Sequence, residues 1–131
     1  MDYLIDTHAV IWFIANDPKL PHVVKTESEN IDNKCFVSIA SFWEIGIKFS
    51  LGRLELGSDL ETIFELISKS GFEVLPVTQN HILASSRLEF HHNDPFDRLL
   101  IAQSIIENLQ FISKDSAFKR YNIPLFWEGL G

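Results

Sequence analysis

A chain of 131 residues with 46% hydrophobic residues can bury one ordinary core but not two, so we expect a single domain over residues 1–131. Its 11 basic and 18 acidic residues give a formal charge of −7, which argues against a protein that covers the phosphates of a nucleic acid broadly. The start of the chain has no basic region, and no apolar run approaches the ~20 residues of a membrane helix, which predicts a soluble, cytoplasmic protein.

The first half of the chain alternates between strand-like and helix-like segments. Apolar strand patterns cover residues 2–6 and 34–38. Each strand pattern leads into a helical pattern. The first runs through residues 7–14 and ends near residues 16–18, and the second covers residues 39–51. Between them, Pro21 can open a short helix.

Capping motifs mark the middle of the chain. The motif Ser58-Asp59-Leu60-Glu61 predicts a capping box for a helix that ends at Gly71. A third strand is predicted over residues 72–77, and Thr78 can cap a helix that reaches about residue 90.

The last third of the chain supplies one more helix and two more strands. Asp94 is predicted to cap a helix that begins at Pro95, residues 110–113 form the last strong strand, and residues 123–126 add a short edge strand. The single cysteine, Cys35, lies in a predicted strand and is expected to be buried, which fits a reducing environment. Strands that alternate with helices predict an α/β domain with a mainly parallel sheet.

Four acidic residues fall at the predicted carboxyl edge of that sheet: Asp6, Glu44, Asp97 and Asp115. Loops and helix N-termini converge at this edge, so we expect the four carboxylates to lie close together. Four neighbouring anions repel one another unless a cation compensates, and an all-oxygen set suits magnesium or manganese better than zinc or copper. Such a centre can activate water and neutralise charge on a phosphate, so the set predicts phosphodiester hydrolysis.

Each acid also has a purely structural interpretation. Glu44 could complete a capping box with Ser41, and Asp97 could occupy the first turn of a helix simply because the helix dipole favours a carboxylate there. Asp115 could be another N-cap, and Asp6 could be a turn residue at a strand end. The shared edge of the sheet favours the joint interpretation as a metal site.

Histidine and lysine residues near the acids suggest further roles. His8 is expected to pack beside the first helix, and His91 and His92 to lie in a solvated loop, because oxygen-only coordination needs no imidazole. The basic residues that follow the acidic segments are candidates for local phosphate contacts, although an ordinary charged surface explains them nearly as well. They are Lys48, Arg98, Lys114 and Lys119.

Aromatic residues cluster on the first and third predicted helices. Most of them should be core residues, and an excess could be buried by a partner segment or a second subunit. They are Trp12, Phe13, Phe42, Trp43 and Phe49.

Four segments of the chain resemble the PIN-domain family, and specifically the VapC-like ribonuclease toxins of bacterial toxin–antitoxin pairs. The most specific is the string from His92 to Gln103, which contains Asp94-Pro95-Phe96-Asp97-Arg98. The others are Leu4-Ile5-Asp6-Thr7-His8, the run from Ser38 to Ile45 with Lys48, and Ser113-Lys114-Asp115.

The resemblance implies a three-layer α/β/α sandwich with a central parallel sheet and RNA cleavage that depends on magnesium or manganese. It also implies a homodimer and a cognate antitoxin that covers the site. Asp6, Glu44, Asp97 and Asp115 match the family's acidic positions, while Asp94 is assigned to capping. Thr7 and Ser113 stand where a hydroxyl group could hold a water molecule of the metal.

Two other classes of protein remain as alternatives. A non-catalytic binding module would keep the fold and use the aromatic helices for partner contacts. An aspartyl-phosphate enzyme would use Asp6 as a nucleophile. The sequence disfavours that enzyme, because a second aspartate usually follows two residues after the nucleophile and His8 occupies this position.

Overall fold

Parallel strands form the centre of the molecule in the computed structural model, which describes residues 1–91 and 93–127. The strands within these residues are β1 (Asp2–Ile5), β2 (Lys34–Ser38), β3 (Glu73–Leu75), β4 (Gln110–Ile112) and β5 (Leu125–Phe126). The helices are α1 (Thr7–Ile14), α2 (His22–Glu29), α3 (Ile39–Ser50), α4 (Leu60–Lys69), α5 (Gln79–Arg87) and α6 (Pro95–Ile106), followed by a 3₁₀ helix (Ser116–Tyr121). His92, one of the predicted loop histidines, lies outside the described residues.

The strands form one sheet in the order β3-β2-β1-β4-β5, and every neighbouring pair is parallel. The chain builds outward from β1 through β2 to β3, and then returns to add β4 and β5 on the other side of β1. The direction of winding therefore reverses between β1 and β4. In open parallel sheets, the crevice beyond the strand ends at this point is where ligands bind.

Both faces of the sheet are buried. On one face, Tyr3, Ile5 and Val37 belong to a core cluster that includes residues of α1, α2, α3 and α4. On the other face, Leu4 and Phe111 belong to a second cluster with residues of α6 and the 3₁₀ helix, and α5 packs against α6. The predicted three-layer α/β/α sandwich with a parallel sheet is confirmed.

The cysteine of β2 is buried. Cys35 is 4% exposed, and burial raises the pKa of its thiol to about 12. A thiol with this pKa carries almost no thiolate at neutral pH, so Cys35 is a packing residue and not a reactive one.

Three helices begin at the sheet edge that carries the candidate acids. Asp6, Ser38 and Asp94 are the N-caps of α1, α3 and α6, and each side chain accepts a backbone N–H from the first turn of its helix. Because α1 and α3 directly follow β1 and β2, their N-termini lie at the carboxyl ends of neighbouring strands.

Two predicted helix boundaries are wrong. The N-cap of α4 is Asp59, whose carboxylate accepts the N–H of Thr62, so Ser58 does not start the predicted capping box. Helix α5 ends at Arg87 and does not reach residue 90, because carbonyl groups near its end accept hydrogen bonds from the guanidinium group of Arg98. The predicted stop of α4 is confirmed, since Gly71 follows the C-cap with a φ of 93°.

The outer strands are shorter than predicted. Strand β3 covers three residues instead of residues 72–77, and β5 covers two instead of residues 123–126. Strand β1 ends one residue early, because Asp6 leaves the strand to cap α1. No helix within the described ranges has both the length and the apolar character needed to cross a bilayer.

One of the five aromatic residues on the first and third predicted helices is on the surface. Trp43 is 66% exposed, and its ring meets the ring of Phe96 edge-on, with 5.3 Å between the ring centroids. This contact joins α3 to α6 next to two of the candidate acids. The adjacent Phe42 is buried and packs edge-on against Phe64.

Candidate active site

Asp6 connects the two strands between which the winding of the sheet reverses. It follows β1, and its backbone N–H donates to the carbonyl of Ile112 in β4 over 3.0 Å. Its carboxylate accepts the hydroxyl of Ser113 at 2.5 Å and the N–H of Ala9 at 2.8 Å. Burial raises the pKa of Asp6 above its ordinary value, although these two hydrogen bonds and the nearby His8 favour the ionised form.

Glu44 is a buried carboxylate on α3. It is 3% exposed, and its two oxygens lie 2.7 Å from the hydroxyl of Thr7 and 2.7 Å from the ammonium group of Lys48. The Thr7 hydroxyl also lies 2.9 Å from the hydroxyl of Ser41. A hydroxyl group has one proton, so when Thr7 donates to the carboxylate, Ser41 is the donor in the second contact.

The capping-box interpretation of Glu44 is wrong. Helix α3 begins at Ile39 and is capped by Ser38, so Ser41 lies inside the helix and cannot be its N-cap. The side chain of Glu44 is bound to groups on α1 and on its own helix, which keeps it at the carboxyl edge of the sheet.

Asp97 occupies the third position of α6, where its backbone N–H donates to the capping carboxylate of Asp94 over 3.1 Å. The structural role suggested by the sequence is therefore present. In addition, the pKa of Asp97 is raised to about 7, first by burial and then by the negative charges of Asp94, Glu44, Asp6 and Asp115. Asp97 thus lies within electrostatic reach of all three of the other candidate acids.

Asp115 lies on the exposed side of the site. Its backbone N–H donates to the hydroxyl of Ser113 over 3.1 Å, so the same serine contacts both Asp115 and Asp6. Asp6 and Asp115 line one surface concavity together with His8, Trp12 and Lys114. The site is therefore open to solvent on the side where a substrate would enter.

No group of three or more histidine, cysteine, aspartate or glutamate side chains in residues 1–91 and 93–127 is arranged to hold a metal ion. The contacts give a physical reason. Both carboxylate oxygens of Asp6 and of Glu44 already accept protons from protein donors, which compensate part of the repulsion between the acids. A dication would replace some of these donors, and the purely oxygen set fits magnesium or manganese.

The structure gives several of the predicted auxiliary residues protein contacts. The hydroxyl groups of Thr7 and Ser113 contact Glu44 and Asp6 and so orient the carboxylates. Lys48 forms an ion pair with Glu44, which makes it a counter-ion of the acids in this state.

Arg98 is not a surface residue that can hold a phosphate. It is 7% exposed, and its guanidinium group donates to the carbonyls of Ser85, Leu88 and Glu89 and lies 4.3 Å from the ring centroid of Phe90. It closes the C-terminal end of α5. Lys114 and Lys119 are exposed, and Lys114 lines the concavity beside Asp115.

Two residues of this site have roles other than those that the sequence suggested, since Ser41 was a candidate cap and Trp12 a candidate core or partner residue. Ser41 supports Thr7, and it lies one helical turn before Ile45, in the run that follows β2. Trp12 lines the concavity, and its position four residues after His8 places both on the same face of α1. The helical spacing from Asp6 onward was therefore sufficient to find Trp12.

Comparisons with known proteins agree with the observed fold. No curated protein sequence matches the chain, but the family model described as the PIN domain matches residues 3–124. Solved structures of several other proteins share the fold, and three of them illustrate the likeness. VapBC2 from Rickettsia felis, bound to a DNA fragment from its promoter, has 17% identity and a TM-score of 0.72, over 98% of this chain and 100% of that one.

The other two structures have equally low identity. VapBC-1 from nontypeable Haemophilus influenzae has 17% identity and a TM-score of 0.69, over 96% of this chain and 97% of that one. VapBC-5 from Mycobacterium tuberculosis, a member of a family of toxin–antitoxin systems, has 17% identity and a TM-score of 0.54, over 92% of this chain and 90% of that one. At this level of identity, the likeness shows the fold.

Proposed function

The chain belongs to the PIN-domain family, and from this premise we propose that it is a magnesium- or manganese-dependent endoribonuclease that acts as the toxin of a toxin–antitoxin pair. The observation that carries the proposal is the environment of Asp97. Beyond the effect of burial, the negative charges of Asp6, Glu44 and Asp115, which come from three other segments of the chain, raise the pKa of this carboxyl group. A fold has little reason to gather four anions at one edge unless a cation joins them.

The four carboxylates are the groups that would hold the metal. When bound, a divalent magnesium or manganese ion supplies Lewis-acid chemistry that suits the hydrolysis of a phosphodiester. The chain's own residues orient this set: Ser113 holds Asp6, and Thr7 holds Glu44. Lys114, at the rim of the concavity, is placed to bind a phosphate, and Lys119 is exposed on the neighbouring 3₁₀ helix.

Metal removal tests the proposed reaction. We expect the purified chain to cleave RNA in magnesium or manganese, to lose this activity in excess EDTA, and to regain it when either metal is restored in excess. The reason is that the carboxylates alone repel both one another and the phosphate. Release of fragments from a labelled RNA, measured on denaturing gels, gives the rate. A chain that binds RNA but never cleaves it with either metal is the non-catalytic binding module.

The toxin role is supported by the toxin–antitoxin complexes among the structural neighbours and by an apolar groove on this chain. The groove has a volume of about 350 Å³ and lies between α1, α4 and the segment that precedes α4. Apolar side chains that line it include Ile11, Leu54, Leu56, Ile63 and Leu66. Trp12 lines both this groove and the acidic concavity, so a segment in the groove could continue over the site. The proposal includes a homodimer, as the family resemblance implies, and a cytoplasmic location, as the composition of the sequence predicts.

A charge in the groove is expected to release the antitoxin. Leu66 is 43% exposed, so Leu66→Asp should fold, but in a complex it would bury an unpaired carboxylate. When the chain is co-expressed with the protein of the adjacent reading frame, we expect the variant to bind that protein at least about tenfold more weakly. Leu51→Asp is the matched control, because Leu51 is 58% exposed and does not line the groove. Equal binding by both variants would contradict the assignment of the groove.

A further inference from the structure

A partly exposed tryptophan lies at the rim of the acidic site. Trp12 lines the concavity that also contains Asp6 and Asp115. Its ring is positioned by two aromatic neighbours, the ring of Trp127 at 6.1 Å and the ring of His8 at 6.3 Å between centroids. Neither neighbour stacks face to face on it, since the planes are tilted by 58° and 46°. The indole is therefore held in place without a parallel ring on its surface.

Two ammonium groups approach the same indole ring. The Nζ atoms of Lys19 and Lys114 lie 5.9 Å and 6.0 Å from the ring centroid. In the part of the chain that the structure describes, neither of them forms an ion pair with a carboxylate. These separations are near the outer limit of a cation–π contact. Each ammonium group therefore loses little interaction energy when it leaves the ring to bind an anion.

An aromatic surface with two cations, beside two carboxylates, has the features that bind a nucleotide. The flat ring offers a stacking surface to a base, and the lysines offer charge to a phosphate. On a chain with a formal charge of −7, such a local group is how RNA can be held without broad electrostatic coverage. A base inside a duplex already has both faces covered, so only an unpaired base can use this ring.

We propose that Trp12 is the stacking residue of a subsite for one unpaired RNA base beside the phosphate that is cleaved, and that Lys114 binds the phosphate of that nucleotide. The subsite rests on the proposed ribonuclease function, and it gives that function a preference for unpaired RNA. Lys19 is a second cation near the same ring, and it lines the neighbouring apolar groove rather than the concavity. Trp12 and Lys114 share the concavity with Asp6 and Asp115 but are not among the four carboxylates, so binding and cleavage can be tested apart.

The test measures RNA binding in a chain that does not cleave. In an Asp97→Asn background, fluorescence polarisation gives the affinity for a labelled 12-nucleotide single strand of mixed sequence and for the same strand in a duplex. Trp12→Leu, which keeps the apolar character of the side chain but has no flat ring, should bind the single strand about tenfold more weakly, with no change for the duplex. Trp12→Phe should restore most of the affinity. Lys114→Gln should weaken binding. It should also reduce the slope of log affinity against log salt concentration by about 1, the value for one phosphate contact.

Matched controls separate the subsite from general effects. Trp43→Leu removes an exposed tryptophan that does not line the concavity, and Lys69→Gln removes a lysine that is 78% exposed on α4, so both should leave the affinity unchanged. The subsite is wrong if Trp12→Leu binds the single strand as tightly as its parent, or if Trp12→Phe loses as much affinity as Trp12→Leu.

Cleavage is measured separately in chains that retain Asp97. If the otherwise unchanged chain never cleaves RNA but the effect of Trp12→Leu on binding is seen, the ribonuclease function fails and the base-binding site stands. If the chain cleaves and Trp12→Leu cuts single-stranded RNA at the parental rate, the function stands and the subsite fails.

Discussion

Replacing Asp97 by asparagine is expected to lower metal-dependent RNA cleavage at least about 100-fold, since even the loss of a group that only supports a metal ligand typically costs 10–100-fold. The variant removes one of the four negative charges that gather at the sheet edge, and it keeps the size of the side chain. The backbone N–H of residue 97 still donates to Asp94, so α6 keeps its cap. Cleavage at saturating magnesium measures the effect, and circular dichroism verifies the fold.

The same substitution should stabilise the metal-free protein, which distinguishes a functional carboxylate from a structural one. The pKa of Asp97 is raised to about 7 in the fold, so the folded state binds this proton more tightly than the unfolded state. Stability contributed by the protonated carboxyl group is complete below pH 4 and is lost as the pH rises to about 7. Above pH 7 in EDTA, we expect Asp97→Asn to have a free energy of unfolding about 2 kcal/mol higher than the parent, a value discounted for partial exposure. Urea unfolding measures this difference.

Two outcomes would contradict this assignment of Asp97. Full cleavage activity of Asp97→Asn would show that cleavage does not depend on the carboxylate cluster. Lower stability than the parent at pH 8 in EDTA would show that the carboxylate has a favourable structural partner, and that the charges around it do not dominate. Asp59→Asn provides a comparison, because Asp59 caps α4 and hydrogen bonds to Thr62 lower its pKa. It should therefore lose stability and keep activity.

Arg98→Met is expected to destabilise the fold by about 3 kcal/mol and to have no specific effect on RNA affinity. Methionine keeps much of the apolar volume of the side chain, but three carbonyl groups at the end of α5 lose a charged donor. Urea unfolding followed by circular dichroism gives the free energy of unfolding, and the polarisation assay gives the affinity for RNA.

The neighbouring arginine of α5 supplies the control for this experiment. Arg87 is exposed, so Arg87→Met should change the free energy of unfolding by less than about 0.5 kcal/mol. If Arg98→Met were as stable as the parent and bound RNA more weakly, Arg98 would be the phosphate contact that its sequence position suggests. Comparison of the two variants therefore distinguishes an arginine that supports the fold from an arginine on the surface.

The parts of the fold that were predictable are those with strong local signals. Strand β2 has the predicted bounds, because a short strand precedes a capping serine. Helix α1 begins at the predicted residue and ends at Ile14, two residues before the predicted turn at Asn16. The N-cap of α4 was misplaced by one residue, since Ser58 and Asp59 are both good caps. The choice between them depends on which residue has extended backbone angles, and no side-chain pattern records that.

The long-range parts of the site were less predictable. The order of the strands decides that β4 lies beside β1, and this neighbourhood brings Ser113 to Asp6. Arg98 follows Asp97 directly, so the sequence suggests a role at the site, but the helix rotates it towards the end of α5. Most of the five aromatic residues were expected in the core, but the sequence did not indicate which of them would be exposed, and Trp43 is. These outcomes depend on tertiary packing, which overrides local preference.

The hydrogen bond from Ser113 to Asp6 joins residues that are 107 positions apart, and β4 pairs with β1, the first strand of the chain. During translation, a growing polypeptide that has emerged only as far as β3 therefore exposes one edge of β1 and has half of its acidic pocket missing. Asp97 and Asp115 follow β3 in the chain, so they emerge from the ribosome after it. The proposed catalytic centre is therefore complete only after both of these later segments have been synthesised.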